Sequence, residues 1–279
     1  MDPTRTRYII IEHMEEWLFE WSYYEYSQML KYIKPSPNLK LIFTNVECFY
    51  TAPASNAEEN TKFVAKFFED LTTTGLKDRV ILIRESIPTL YNSDKTAILL
   101  PSSESSSPIE LKLPRTCMLD MRAESTLSCK DNEVFDAYIF GGVLGDHPPR
   151  DRCKYLREDG CTLRQLGKLQ LATDTAVLVT RIVIDGMMEF KDIPILEEPE
   201  VEPPKKEEGA EVMESVQMEG FSYVSDEFDI ETGVVTKRAK PQPIMSENIK
   251  NNCLFVDFDF GIDIGQMLGE EIAAGGLMF

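Results

Sequence analysis

The sequence predicts an α/β fold: a mostly parallel sheet with helices on both faces. Two observations carry the prediction. From Tyr8 to Ile184, short apolar runs alternate with longer stretches of helical periodicity, the pattern of strands joined by crossovers. At Phe140 one such run stops against Gly141, Gly142 and Gly145, the kind of loop that α/β proteins place at strand ends to hold ligands. No internal repeat interrupts the alternation.

The elements follow in order. Residues 8–12 are a compact β-branched strand ending in Glu12-His13-Met14-Glu15-Glu16. A helix is predicted over 17–33, with Trp17, Trp21, Leu30 and Ile33 on one face and Pro35 as its stop. Residues 39–43 read as the next strand. Ser55 to Glu58 has capping-box spacing and opens a helix through Phe63, Phe67 and Leu71, stopped by Gly75. Residues 79–83 form another strand. From 85 to 114 the pattern breaks down around the Ser/Pro-rich stretch 101–108, read as a flexible loop. Strands are predicted at 116–119, 134–140 and 162–166, with a short helix over 151–158. Gln170 to Ala176 starts a helix whose apolar body is 177–184. After Pro194 regularity fades, until alternation over 253–260 gives one late strand or a docking tail, followed by a frayed end.

Charge limits the partners. The 279 residues carry a formal net charge of -19. Nucleic-acid binding depends on Lys and Arg neutralising phosphates, so a large RNA footprint is unexpected and a basic polypeptide is the better-matched partner. Simple solubility is the plainer use of the same charge. Residues 197–231 hold 13 acidic side chains against two lysines, a formal charge of about −11. With three prolines, residues 196–232 read as a disordered insert. The six scattered cysteines contain no Cys-x-x-Cys pair, and only His13 and His147 stand beside them. No metal site and no disulfide framework is expected. No signal peptide or membrane-length apolar run is present, so a cytoplasmic location is expected.

Three loops compete as the site: Asp120-Met121-Arg122, Gly141 to Pro149, and Leu166-Gly167 through Thr175. None is a dinucleotide, nucleoside-triphosphate or nucleophile-elbow fingerprint. Phe140-Gly-Gly-Val-Leu-Gly-Asp-His-Pro-Pro-Arg-Asp-Arg152 and Leu166-Gly167-x-x-Gln-x-x-Thr173-Asp-Thr-Ala176 together resemble a small family of SPOUT-class methyltransferases. This is the fungal and archaeal group whose characterised member methylates an arginine of a small-subunit ribosomal protein. Tyr8-Ile-Ile-Ile-Glu-His-Met-Glu-Glu16, Glu20-Trp21, Glu25-Tyr26-Ser27 and Leu119-Asp120-x-Arg122-Ala123 fit the same group. The chain departs from it in its long Ser/Pro stretch, its acidic insert, and Met121 where proline is expected.

The resemblance implies a SPOUT-type domain over residues 1–195 with a C-terminal trefoil knot, and residues 233–279 as a C-terminal extension. It implies S-adenosyl-L-methionine as cofactor. Carried over by position, the pocket is Leu119, Asp120, Gly141, Gly142, Val143, Gly145, Asp146, His147, Leu166, Gly167 and Thr173. Plain core packing would equally explain Leu119, Val143 and Leu166. Arginine is a poor nucleophile because its guanidinium stays protonated. Carboxylates orient it by bidentate pairing and accept its proton. Asp146 is the candidate orienter or base, with Glu12 and Glu15 as substrate clamps. Glu15 and Glu20 would otherwise sit on a solvated helix face, and both histidines have a structural alternative. The function implied is methylation of an arginine on a basic ribosomal protein by a monomer. RNA methylation and a non-catalytic acidic module that binds ribosomal proteins are the alternatives.

Overall fold

The computed structural model describes residues 5–101, 107–142, 151, 153–157, 160–204 and 214–255. Val143, Gly145, Asp146 and His147 lie outside the described residues, as do Arg150 and Arg152.

Six parallel strands form the central sheet: β1 (Arg7–His13), β2 (Leu39–Thr44), β3 (Val80–Leu82), β6 (Thr116–Leu119), β7 (Ala137–Gly142) and β8 (Thr162–Arg164). Between β3 and β6 the chain forms a separate hairpin of β4 (Ala97–Leu100) and β5 (Ile109–Lys112). The order in the sheet is β3-β2-β1-β7-β6-β8. The apolar run of β1 is central, bonded to β2 on one side and β7 on the other. Its side chains alternate between two buried faces, which is why the run is almost continuously apolar. Ile9 and Ile11 join one core, and Ile10 joins the other.

The longer helices α1 (Glu20–Ile33), α2 (Ala57–Thr74) and α5 (Thr173–Ile184) share the first core. There Tyr26, Phe43 and Phe67 pack ring against ring, with centroids 4.4 Å and 5.6 Å apart along the chain of contacts. The opposite face is thinner. It is covered by the β4–β5 hairpin and the one-turn helix α4 (Lys154–Arg157), whose Leu156 is buried. Gly75 closes α2 as expected: its φ is 71°, and its N–H reaches the carbonyls of Leu71 and Thr72. The capping box does not form, because Asn56 takes the cap position and makes no side-chain cap bond.

Three segments differ from the sequence reading. Residues 85–114 contain the β4–β5 hairpin, because Ile98, Leu100, Leu111 and Leu113 have a core to enter. The acidic stretch after Pro194 contains β9 (Ile195–Glu197), β10 (Glu200–Val201), β11 (Val216–Gln217) and β12 (Ser222–Val224). Val201, Met218, Tyr223, Val224 and Phe228 bury against the α1–α5 core while most acids point outward, so net charge hid a sparse apolar pattern. The alternation predicted from Cys253 is, as far as Leu254, a helical turn (Lys250–Leu254) that follows α6 (Glu247–Ile249); residues 256–260 lie outside the described residues.

Candidate active site at the strand ends

All six strands run the same way, so their carboxyl ends open on one edge, the place where open α/β sheets hold ligands. Register decides what meets there. Glu12 lies opposite Thr44 of β2 and Gly141 of β7, and His13 lies opposite Gly142. β6 ends beside them at Leu119 and Asp120, and β8 leads into Leu166 and Gly167. The described candidate residues therefore converge, although they come from distant parts of the chain.

The glycines have a tighter reason to be glycine than access for a ligand. A Cβ on Gly142 would stand 2.6 Å from Ile11 Cγ2, 3.0 Å from the Glu12 carbonyl and 3.2 Å from the Tyr26 hydroxyl. One on Gly141 would strike the Cys153 thiol. Gly167 has φ +80°, and a Cβ there would meet the Phe190 ring at 2.6 Å. The main chain at these strand ends is pressed onto its neighbours, which fixes its carbonyls and amides before any ligand arrives.

Two side chains at the end of β1 are locked. Glu12 is fully buried: Oε2 accepts from the Thr44 hydroxyl and, at 3.1 Å, from the Ile87 N–H, while Oε1 accepts from the Tyr155 hydroxyl at 3.1 Å. Burial raises its pKa against the three bonds that favour the carboxylate. With both oxygens engaged inside the protein, Glu12 braces the strand end in this arrangement instead of reaching toward a substrate. His13 is also fully buried, with Nδ1 2.7 Å from the Tyr26 hydroxyl and Nε2 3.5 Å from Cys48 Sγ. Burial pulls its pKa down to about 4, so the ring is neutral at physiological pH. It has the structural role weighed above. Glu15 lies just beyond, half-buried.

Ion pairs stiffen the β6 side. Arg157 on α4 pairs with Asp120 and with Asp151, and Arg122 also pairs with Asp151. These bonds hold the Asp151 carboxyl below its usual range, with Arg157 the largest cause. The Asp120 N–H donates to the Arg164 carbonyl at 2.8 Å, and Leu127 and Ser125 bond to Gln165, so this loop is tied to β8. Asp120 is thus both a pocket candidate and, through Arg157, the anchor of α4, a partnership that sequence reasoning missed. Arg157→Met is expected to weaken S-adenosylhomocysteine binding on the order of tenfold by releasing Asp120, with the melting temperature little changed. Calorimetry of wild type and variant checks this; equal affinities would remove Arg157 from the site.

The residues present fit an adenosylated ligand. The end of β7 offers fixed main chain at Gly141 and Gly142, and the loop after β8, on the other side of β6, offers it at Gly167. Leu166 is buried and Leu119 half-buried, and Asp120 and Thr173 supply polar groups. Among the described residues no group of three or more potential metal ligands occurs.

Known proteins place the chain more closely. A family model described as SFM1-like protein arginine N-methyltransferase matches residues 8–252. The Saccharomyces cerevisiae protein arginine N-methyltransferase SFM1 is 35% identical over 195 residues, 68% of this chain and 77% of the yeast protein. The crystal structure of the yeast arginine methyltransferase SFM1 with S-adenosylmethionine is similar at a TM-score of 0.57 and 31% identity. That similarity covers 88% of this chain and 89% of the other. Its complex with S-adenosylhomocysteine gives a TM-score of 0.56 and 30% identity, covering 87% and 92%.

Proposed function

The chain belongs to the SFM1-like protein arginine N-methyltransferase family, and on that premise we propose that it methylates an arginine of a basic small-subunit ribosomal protein, acting as a monomer. The observation that carries the reading is the family match across residues 8–252, which takes in all but the first residue of the central sheet. The cofactor is S-adenosyl-L-methionine, as in the structures of the yeast relative. When bound, it supplies an electrophilic methyl group on a sulfonium sulfur.

What the chain itself contributes is position. Leu119, Asp120, Gly141, Gly142, Leu166, Gly167 and Thr173 would hold the cofactor. The close-packed main chain there presents fixed dipoles that need no rearrangement on binding. Orientation of the guanidinium then supplies most of the rate. Glu15, half-buried just beyond β1, stays a proposed clamp for a cationic side chain. Asp146, outside the described residues, stays the proposed orienter or base.

The net charge of -19 supports a basic protein substrate over RNA. Residues 187–255 supply much of the covering of the α1–α5 face, and Asn252 donates to the Tyr24 hydroxyl at 2.7 Å, which supports a monomer. The strand order supports the expected knot: the chain leaves β7, passes β6 to form β8, and returns as α5 to pack against α1. Six free cysteines suit the cytoplasm.

The test is incubation with methyl-labelled cofactor and either acid-extracted small-subunit ribosomal proteins or bulk RNA. Label is expected on protein, recovered as methylarginine after hydrolysis, from a preparation of monomer mass in light scattering. Label on RNA alone would overturn the substrate, and a dimer mass would remove the monomer.

A further inference from the structure

The one-turn helix α4 grips three places with three consecutive side chains. Tyr155 donates its hydroxyl to Glu12 Oε1 on β1 at 3.1 Å. Leu156 is 2% exposed in the thinner core, with Ile10 and Ile139. Arg157 pairs with Asp120, just past the end of β6. Neighbouring side chains on a helix fan out by about 100°, so a single turn reaches in three directions. In the sheet, β7 lies between β1 and β6. A turn bonded to the ends of both must pass across the end of the strand between them. Cys153, the residue before α4, marks the crossing: a Cβ on Gly141 would fall 2.1 Å from its Sγ.

Four residues do not hold a helical turn by themselves, because nucleation is unfavourable. The place of α4 is therefore set by what its side chains grip. The apolar grip of Leu156 is non-directional, whereas the two polar grips fix direction and distance. The Tyr155 bond joins unlike environments. Tyr155 is 38% exposed, yet its hydroxyl reaches a carboxylate that is 0% exposed. A carboxylate so far from water is tolerated when its oxygens are satisfied. Oε2 of Glu12 is served by the Thr44 hydroxyl at the end of β2 and by the Ile87 N–H after β3. Oε1 is served by Tyr155. Glu12 also stands opposite Gly141 in the register of β1 and β7. The bond thus fastens α4 beside the glycine that Cys153 covers.

We propose that Tyr155 is a positioning residue for cofactor binding: through Glu12, and together with Arg157, it straps α4 across the carboxyl end of β7 and so fixes Gly141 and Asp120. The inference rests on the reading of these strand ends as the S-adenosylmethionine site and adds the device that holds them. It gives Glu12 a part in the reaction without contact with the substrate. A strap works only while both ends are fast. With either end released, α4 turns about the other, Cys153 leaves Gly141, and the end of β7 loses its cover. Losses from the two ends therefore overlap, whereas losses from two independent contacts would multiply.

The test is a double-mutant cycle on the full chain: Tyr155→Phe, Arg157→Met and both together, with S-adenosylhomocysteine affinity read by calorimetry. Tyr155→Phe is expected to weaken binding on the order of tenfold, as Arg157→Met does. The double variant is expected to stay within about threefold of either single one, instead of falling by ~100-fold. Circular dichroism at the assay temperature is expected to show the wild-type sheet in all three, so lost affinity is not lost folding. In methyl transfer to acid-extracted small-subunit ribosomal proteins, Tyr155→Phe is expected to raise the KM for the cofactor and leave the KM for the protein unchanged. Equal affinities for wild type and Tyr155→Phe, or losses that multiply, would overturn the strap. So would a raised KM for the protein alone, which would make Glu12 a substrate contact. A wild-type chain that binds no S-adenosylhomocysteine would instead sink the cofactor-site reading, and this inference with it.

Discussion

Gly142→Ala is expected to abolish measurable binding of S-adenosylhomocysteine, a loss of at least ~100-fold, the effect of moving a binding main chain by about 1 Å. The added methyl has nowhere to go. It meets a β-branched side chain on β1 at 2.6 Å and a backbone carbonyl at 3.0 Å, and neither yields without parting the two central strands. β7 must therefore shift outward at its carboxyl end, which is the wall of the crevice. The Tyr26 hydroxyl at 3.2 Å would be displaced from its bond to His13. Calorimetry gives the affinity, and circular dichroism shows whether the sheet persists. A variant that binds within a few-fold of wild type would mean that the end of β7 is not part of the cofactor site.

The largest expected loss of stability is at Arg181, far from the crevice. Its guanidinium is 3% exposed and sits at a junction of three parts of the chain. Nε donates to Asp185 Oδ2 and to Ser36 Oγ, each at 3.1 Å, and a terminal nitrogen donates to the Ile230 carbonyl. Arg181→Ala would leave a carboxylate, a hydroxyl and a carbonyl to find new partners where water has poor access. Removing one member of such a buried pair costs roughly 3–5 kcal/mol. For a chain of this size that lowers the melting temperature by about 10 °C. Urea or thermal denaturation followed by circular dichroism measures it; a loss below about 1 kcal/mol would show that Arg7, which also pairs with Asp185 at 3.5 Å, suffices without it.

Much of the sheet was legible because its strands are buried on both faces and so are written as unbroken apolar runs: 8–12, 39–43 and 116–119 fall inside or within a residue of β1, β2 and β6. The hairpin β4–β5 was not legible. Its strands are four residues each, and the serines and prolines between them dominate any window. The strands after Pro194 were hidden by charge in the same way. In the site, the glycines were conspicuous as residues, but the reason for them was not. Only the fold shows that the space Gly142 vacates belongs to Ile11 and Tyr26. The pairing of Arg157 with Asp120 and Asp151 was out of reach for a different reason. Sequence periodicity assigns a residue to an element and a face, but which charge it meets depends on the crossing of elements far apart in the chain.

α6 packs on α1 and β12 on α5, and β7, more than a hundred positions downstream of β1, pairs directly with it. A chain still being synthesised therefore has its first strand in hand long before the partners of that strand exist. Contacts of such long range make assembly slow. Until Asn252 has left the ribosomal exit tunnel, the Tyr24 hydroxyl on α1 lacks the amide that donates to it, and the late core residues Leu254 and Phe255 are not yet in place. Exposed apolar surface on an incomplete chain favours aggregation, so a chain ended near residue 190, lacking the ten buried apolar residues from Ile193 to Phe255, is expected to be a sticky fragment and not a smaller enzyme.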